Sequence, residues 1–158
     1  MVLLPSVFDT LGMTELRSRP AGITALGIFF ALGTIPATAA ALALIHPGAW
    51  STAMWRLKPE APEDFARLGG VAIPLMLLVA VACAAAAAGL WTGAPWGRRL
   101  AIGLLGVNLL GDAADAVIRG DWRTLIGIPV GGAMLAYLLL SPGARTWFAQ
   151  ARDPNPTD

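Results

Sequence analysis

One cysteine, one histidine, one tyrosine and few charges set the first limits on this chain. A lone Cys83 cannot close an intramolecular disulfide, and beside a lone His46 it leaves no multi-ligand metal set. Neither a metal nor a cofactor is therefore expected. Charged residues make up 13% of the sequence, against about 25% in an ordinary soluble domain. Its 11 Lys and Arg nearly balance its 10 Asp and Glu and are scattered along the chain, so the electrostatic footprint of a nucleic-acid binder is missing. No Ser-His-Asp order, phosphate loop, HExxH or GxGxxG occurs, and no residue set argues for an enzyme. The opening MVLLPSVFD has neither a basic n-region nor a small-residue cleavage site, so it does not read as a signal peptide.

What the chain has in abundance is apolar surface, at 56% hydrophobic residues. Charges divide it into four apolar blocks, and about 20 apolar residues suffice to cross some 30 Å of hydrocarbon as a helix. The pattern predicts an all-α bundle of four transmembrane helices over about 21–45, 68–92, 99–119 and 122–143. A short interfacial helix is expected in the first loop, around Ser51 to Leu57. Leu4, Val7, Phe8 and Leu11 are spaced for a second surface helix, although Pro5 and Gly12 weaken it. Residues 1–150 then form one membrane domain, and 151–158 a polar tail.

The six tryptophans fall at the ends of these spans. Threading four helices puts Trp91, Trp96 and Trp147 on the side of the termini, and Trp50, Trp55 and Trp122 on the other. This is the pattern of two interfacial belts, where an indole keeps its ring in apolar surroundings and its N–H near headgroups. A further packing signal is the GxxxG spacing of Gly127 and Gly131, which suits close helix approach within the bundle or between two chains.

The third span alone carries carboxylates. Asn108, Asp112, Asp115 and Arg119 recur at spacings of four, three and four, which places them in one narrow stripe of the helix. Asp112 sits about 18 Å into the span at 1.5 Å per residue. A carboxylate at such depth costs about 2.5–3.5 kcal/mol on insertion scales, so it should face the bundle interior or water and find a partner. Two readings stand side by side. In one, Asp115 pairs with Arg119 while Asp112 is neutral, or bonded to Asn108 and to hydroxyls such as Thr34 or Thr38. In the other, Asp112 is a proton or cation site with Asp115 and Arg119 as its vestibule.

The arginines suggest orientation. Arg17, Arg19, Arg98, Arg99, Arg145 and Arg152 lie on the terminus side, and Arg56, Lys58, Arg67, Arg119 and Arg123 on the other. Arg98 and Arg99 stand in a short loop, whereas Arg56 and Lys58 share theirs with Glu60, Glu63 and Asp64. The bias favours cytoplasmic termini. Arg17, Arg19, Arg98, Arg99 and Arg145 are also candidates for an anionic lipid headgroup. His46, before the Pro47 stop, is an ordinary interfacial residue, and Cys83 reads as a small apolar packer.

RPAGITALGIFFALG at Arg19 to Gly33, GLWTGAPWGRRLAI at Gly89 to Ile102, GDWRTLIGIPVGGAMLAYLL at Gly120 to Leu139 and SPGARTWF at Ser141 to Phe148 together resemble small bacterial four-helix integral membrane proteins of uncharacterised function. The resemblance rests on arginines, tryptophans and prolines at helix ends. It implies a multi-pass protein of the bacterial inner membrane and carries no activity with it. The expected partners are the lipid bilayer and other membrane subunits or a second copy. The leading functional expectation is accordingly an accessory or assembly subunit, or a homo-oligomer, acting through helix packing. The alternative is a small proton, cation or solute transporter or channel element using Asp112, Asp115 and Arg119.

Overall fold

The computed structural model describes residues 19–119 and 127–150, apart from the side chains of Arg119 and Gln150. Trp122, Arg123, Arg17, the expected N-terminal surface helix, the Gly120 and Asp121 part of the turn that follows Arg119, and the polar tail lie outside the described residues. Every regular element among the described residues is helical: α1 (Ala21–Ile45), α2 (Ala49–Trp55), α3 (Ala61–Leu68), α4 (Ala72–Thr92), α5 (Pro95–Arg119), α6 (Gly127–Leu140) and α7 (Pro142–Gln150), with a single turn of 3₁₀ helix at Gly69–Val71.

The segments Ala21–Ile45, Ala61–Thr92 and Pro95–Ile118 are long and apolar enough to cross a membrane, and α6 with α7 passes the same test as a pair bent by 56°. At 1.5 Å per residue, α1 reaches about 38 Å and α4 about 31 Å, against about 30 Å of hydrocarbon. This is an all-α membrane protein. The 14 residues of α6 cover only about 21 Å, which is why α7 matters to the fourth crossing.

Two features of the polar connections go beyond the sequence expectation. The interfacial helix in the first loop forms as α2, two residues earlier than the expected start at Ser51. Gly48 is its N-cap, and the Oγ of Ser51 in the first turn accepts from the Gly48 N–H at 2.9 Å and donates to the Gly48 carbonyl at 2.8 Å. The acidic stretch after it is a helix too: α3 has Pro62 at its start, Glu63 and Asp64 in its first turn and Arg67 in its last. That charge order complements the helix dipole. Trp55 and Phe65 join α2 to α3 with ring centroids 5.6 Å apart.

Proline and glycine set the helix ends on the terminus side. Gly93 terminates α4 in the left-handed region at φ 73°, and the Ala94 N–H returns to the Gly89 carbonyl at 2.9 Å while the Gly93 N–H bonds that of Leu90. This is a Schellman closure. Pro95 then opens α5 at the one helical position where a missing N–H costs nothing. Across this hairpin Gly89 and Gly97 meet backbone to backbone: a Cβ on Gly89 would lie 2.5 Å from the Gly97 Cα. Two further glycines admit aromatic rings, since a Cβ on Gly27 would lie 2.7 Å from Trp91 Cδ1, and one on Gly22 would lie 2.6 Å from Tyr137 Oη.

The core is one-sided. Ile23, Leu26 and Phe30 of α1, Ala86, Ala87 and Leu90 of α4, Ala101 and Leu105 of α5, Leu138 of α6 and Ala144, Trp147 and Phe148 of α7 form a single buried cluster. All come from the half of the bundle that contains the α4–α5 turn. In the other half α1 and α4 stay zipped through small residues, Ala37, Ala40, Ala41 and Ala43 against α4 with its Ala72 and Ala80. The α5–α6 pair has no such partner there, and none of residues 106–118 is buried.

Candidate functional site

At 100° per residue, Ala101, Leu105, Asn108, Asp112 and Asp115 fall within about 80° of one another on α5. They therefore belong to one helix face, which is covered in one half of the molecule and uncovered in the other. Ala101 and Leu105 are buried, whereas Asn108 and Asp115 are exposed and Asp112 is half-buried. The polar side chains begin where the covering ends.

Asn108 Nδ2 donates to Asp112 Oδ2 at 3.2 Å, one of the two partners expected from the spacing. The hydroxyl partner is a correction, because Thr34 turns its Oγ1 back onto the Phe30 carbonyl of its own helix at 3.2 Å. This is the usual behaviour of a helical threonine in an apolar setting, where the i−4 carbonyl is the nearest acceptor. What does approach Asp112 is α6. A Cβ on Gly127 would lie 2.8 Å from Asp112 Oδ2, and one on Gly131 would lie 3.1 Å from Leu109 Cδ2. The GxxxG pair is thus turned onto α5 of the same chain, and the small residues make room for Asp112 and Leu109. Arg119 ends α5, with its side chain outside the described residues.

The opposite end of α5 carries a second cluster. Pro142 has no N–H, so the Leu138 carbonyl at the end of α6 loses the donor that a continuous helix would offer. Arg98 takes that place, its Nε and Nη2 donating to Leu138 O at 3.1 and 2.7 Å. One residue on, Arg145 Nε and Nη2 donate to Leu139 O at 3.2 and 2.9 Å. Cations at a helix C-terminus also match its partial negative charge. The Arg98 guanidinium stacks 5.9 Å from the Phe148 ring, and that of Arg19 lies 5.8 Å from Trp147. Arg98, Arg99 and Arg145 line a cleft of about 650 Å³ with Pro95, Ile102, Phe148 and Ala149. Of the five arginines expected to gather at the headgroups, three share this cleft, Arg19 lies over the Trp147 ring, and Arg17 is outside the described residues.

The tryptophans divide. Trp50 and Trp96 are exposed at the span ends, Trp55 stacks on Phe65, and Trp91 is half-buried over Gly27. Trp147 departs from the expected belt: it is 7% exposed, and its Nε1 donates to the Leu90 carbonyl at 3.2 Å. It plugs the core, because the bend at Pro142 carries α7 across the end of α4. The sequence carried a hint in Pro142 and the apolar Ala144, Trp147 and Phe148 at helical spacing, which mark a further short helix. His46 closes α1, its backbone N–H bonded to Leu42 O at 2.8 Å. Among the described residues no group of His, Cys, Asp and Glu is placed to hold a metal.

The chain matches no known family model, and no curated protein or solved structure is significantly similar to it.

Proposed function

We propose that the protein is a subunit of the bacterial inner membrane that works by helix association, docking the uncovered half of α5 on a second copy or on another membrane subunit. The observation that carries this reading is the single face of α5 that is apolar where it is buried and polar where it is not. An isolated chain would present the Asn108 amide and the Asp112 carboxylate at membrane depth, where hydrocarbon offers no hydrogen bond. Asparagine and carboxylate side chains on a lipid-exposed helix gain partners when a neighbouring helix covers them. The GxxxG face is already engaged within the chain, so association falls to α5. On this reading both termini are cytoplasmic, which is supported by Arg19, Arg98, Arg99 and Arg145 at that end of the bundle against Arg56, Lys58 and Arg67 at the other.

Cross-linking in native membranes tests the association. In a Cys83→Ala background, Asn108→Cys is expected to form a disulfide or thiol-cross-linked product, and Val81→Cys on the exposed side of α4 is not. A product at twice the 16.4 kDa chain mass identifies a second copy; another mass identifies a different subunit. Failure of Asn108→Cys to cross-link, together with proton uptake by proteoliposomes that is lost in Asp112→Asn, would replace the association reading with a wetted proton or cation site at Asp112. A reporter fused after Asp158 that is active only outside the cytoplasm would reverse the orientation.

A further inference from the structure

Arg98 and Arg145 have a structural task among the described residues, and Arg99 has none there. Each of the first two spends its Nε and Nη2 on a carbonyl freed by the Pro142 break, which leaves its Nη1 without a protein partner among the described residues. Arg99 is exposed and makes no hydrogen bond or ion pair with any described residue. Among the described residues no carboxylate lines the cleft that the three share. Three guanidinium charges therefore converge on one concave surface with nothing on the described chain to neutralise them. Two of them are fixed in place by main-chain carbonyls rather than left to wander on long side chains. Pre-organisation of this kind lowers the entropic cost of binding an anion, and planar guanidinium groups match phosphate oxygens in pairs.

The rest of the lining says what the anion is attached to. Pro95, Ile102 and Ala149 are apolar, and Phe148 closes the floor under Arg98. Arg98 and Arg99 are the fourth and fifth residues of α5, so the cleft stands at the end of a membrane span. Trp96, 53% exposed, stands beside it in the interfacial position an indole favours. A free inorganic anion has no use for an apolar wall that runs toward hydrocarbon. A volume of about 650 Å³ suits a headgroup and its glycerol.

We propose that the Arg98, Arg99 and Arg145 cleft is a binding site for an anionic glycerophospholipid, its phosphate held by the three guanidinium groups and the start of an acyl chain laid along Ile102. The two pairs of hydrogen bonds that repair α6 are the same ones that aim Arg98 and Arg145 into the cleft.

Native mass spectrometry of the full-length protein released from vesicles of mixed phosphatidylglycerol and phosphatidylcholine tests this. The wild-type chain is expected to retain phosphatidylglycerol in preference to phosphatidylcholine. Arg99→Gln, which removes no bond within the described chain, should cut that preference about fivefold, the effect of one basic residue at a charged surface, with an unchanged unfolding midpoint in pure phosphatidylcholine. Arg56→Gln, at the opposite end of the bundle, should leave the preference unaltered. An undiminished preference in Arg99→Gln, or an equal loss in Arg56→Gln, overturns the site. Displacement of the lipid by millimolar inorganic phosphate overturns the lipid as its occupant.

Discussion

The two halves of the bundle are built from the same four apolar segments and pack in different ways. In the half that contains the α4–α5 turn, five helices converge on one buried cluster, and every close approach has a named cause. Gly89 and Gly97 let two backbones touch, Gly27 and Gly22 admit aromatic rings, Trp147 fills the space above Leu90, and Arg98 repairs the broken end of α6. In the other half α1 and α4 remain zipped, while on α5 Asn108 and Asp115 stand exposed on the face that is buried lower down, and Val107, Leu110, Val117 and Ile118 stand exposed on its other sides. Hydrophobicity does not separate the halves, because in lipid an exposed leucine costs little. Small residues and hydrogen-bonding groups decide which helices close.

This contrast can be broken by substitution, and the largest effect belongs to the plug. Trp147→Ala should destabilise the detergent-solubilised protein by about 3–5 kcal/mol, measured by reversible unfolding in mixed micelles, since it opens a large cavity and strands the core face of α7. Next comes Gly89→Ala, where the new methyl meets the Gly97 backbone, which cannot yield as a side chain can. A loss of about 1–3 kcal/mol is expected, with the hairpin sprung rather than the helices unfolded. Arg98→Met should cost about 1–3 kcal/mol by leaving the Leu138 carbonyl unsatisfied. Adding Pro142→Ala, which restores an N–H within reach of that carbonyl, should recover part of the loss in a double-mutant cycle.

The smallest effect is expected in the open half. Leu110→Ala should shift the stability of the isolated chain by no more than about 0.5 kcal/mol. Asp112→Leu should leave that stability unchanged or raised while abolishing the Asn108→Cys cross-link. If Leu110→Ala proved as damaging as Trp147→Ala, this half of α5 would be packed in the isolated chain on the side of Leu110 too, and the two halves would not differ.

Much of the fold was legible in residues whose meaning does not depend on neighbours. The span of α1 was read at 21–45 and forms at Ala21–Ile45, because Pro20 and His46-Pro47 bracket an uninterrupted apolar run. The third span was expected from about 99 and begins at Pro95, since a proline at the first helical position continues the chain directly from the Gly93 turn. The Asn108–Asp112 contact followed from a spacing of four. Thr34 as a partner for Asp112 did not hold, because residue lists cannot show that α1 packs on α4 instead of reaching α5. Trp147 was placed at the interface by the same rule that suits Trp96, and only the fold of α7 over Leu90 buries it.

The sequence by itself determined that the chain lives in a membrane, how many apolar segments it has, and which of them bears carboxylates. These follow from composition and from periodicity along a helix, both of which are local. The tertiary structure alone decided which end of the polar face is covered, that Gly127 and Gly131 serve α5 of the same chain, and that Arg98 and Arg145 answer to carbonyls orphaned by Pro142. Those outcomes depend on which helix lies against which, and the lipid-facing and helix-facing sides of an apolar segment are written in the same residues.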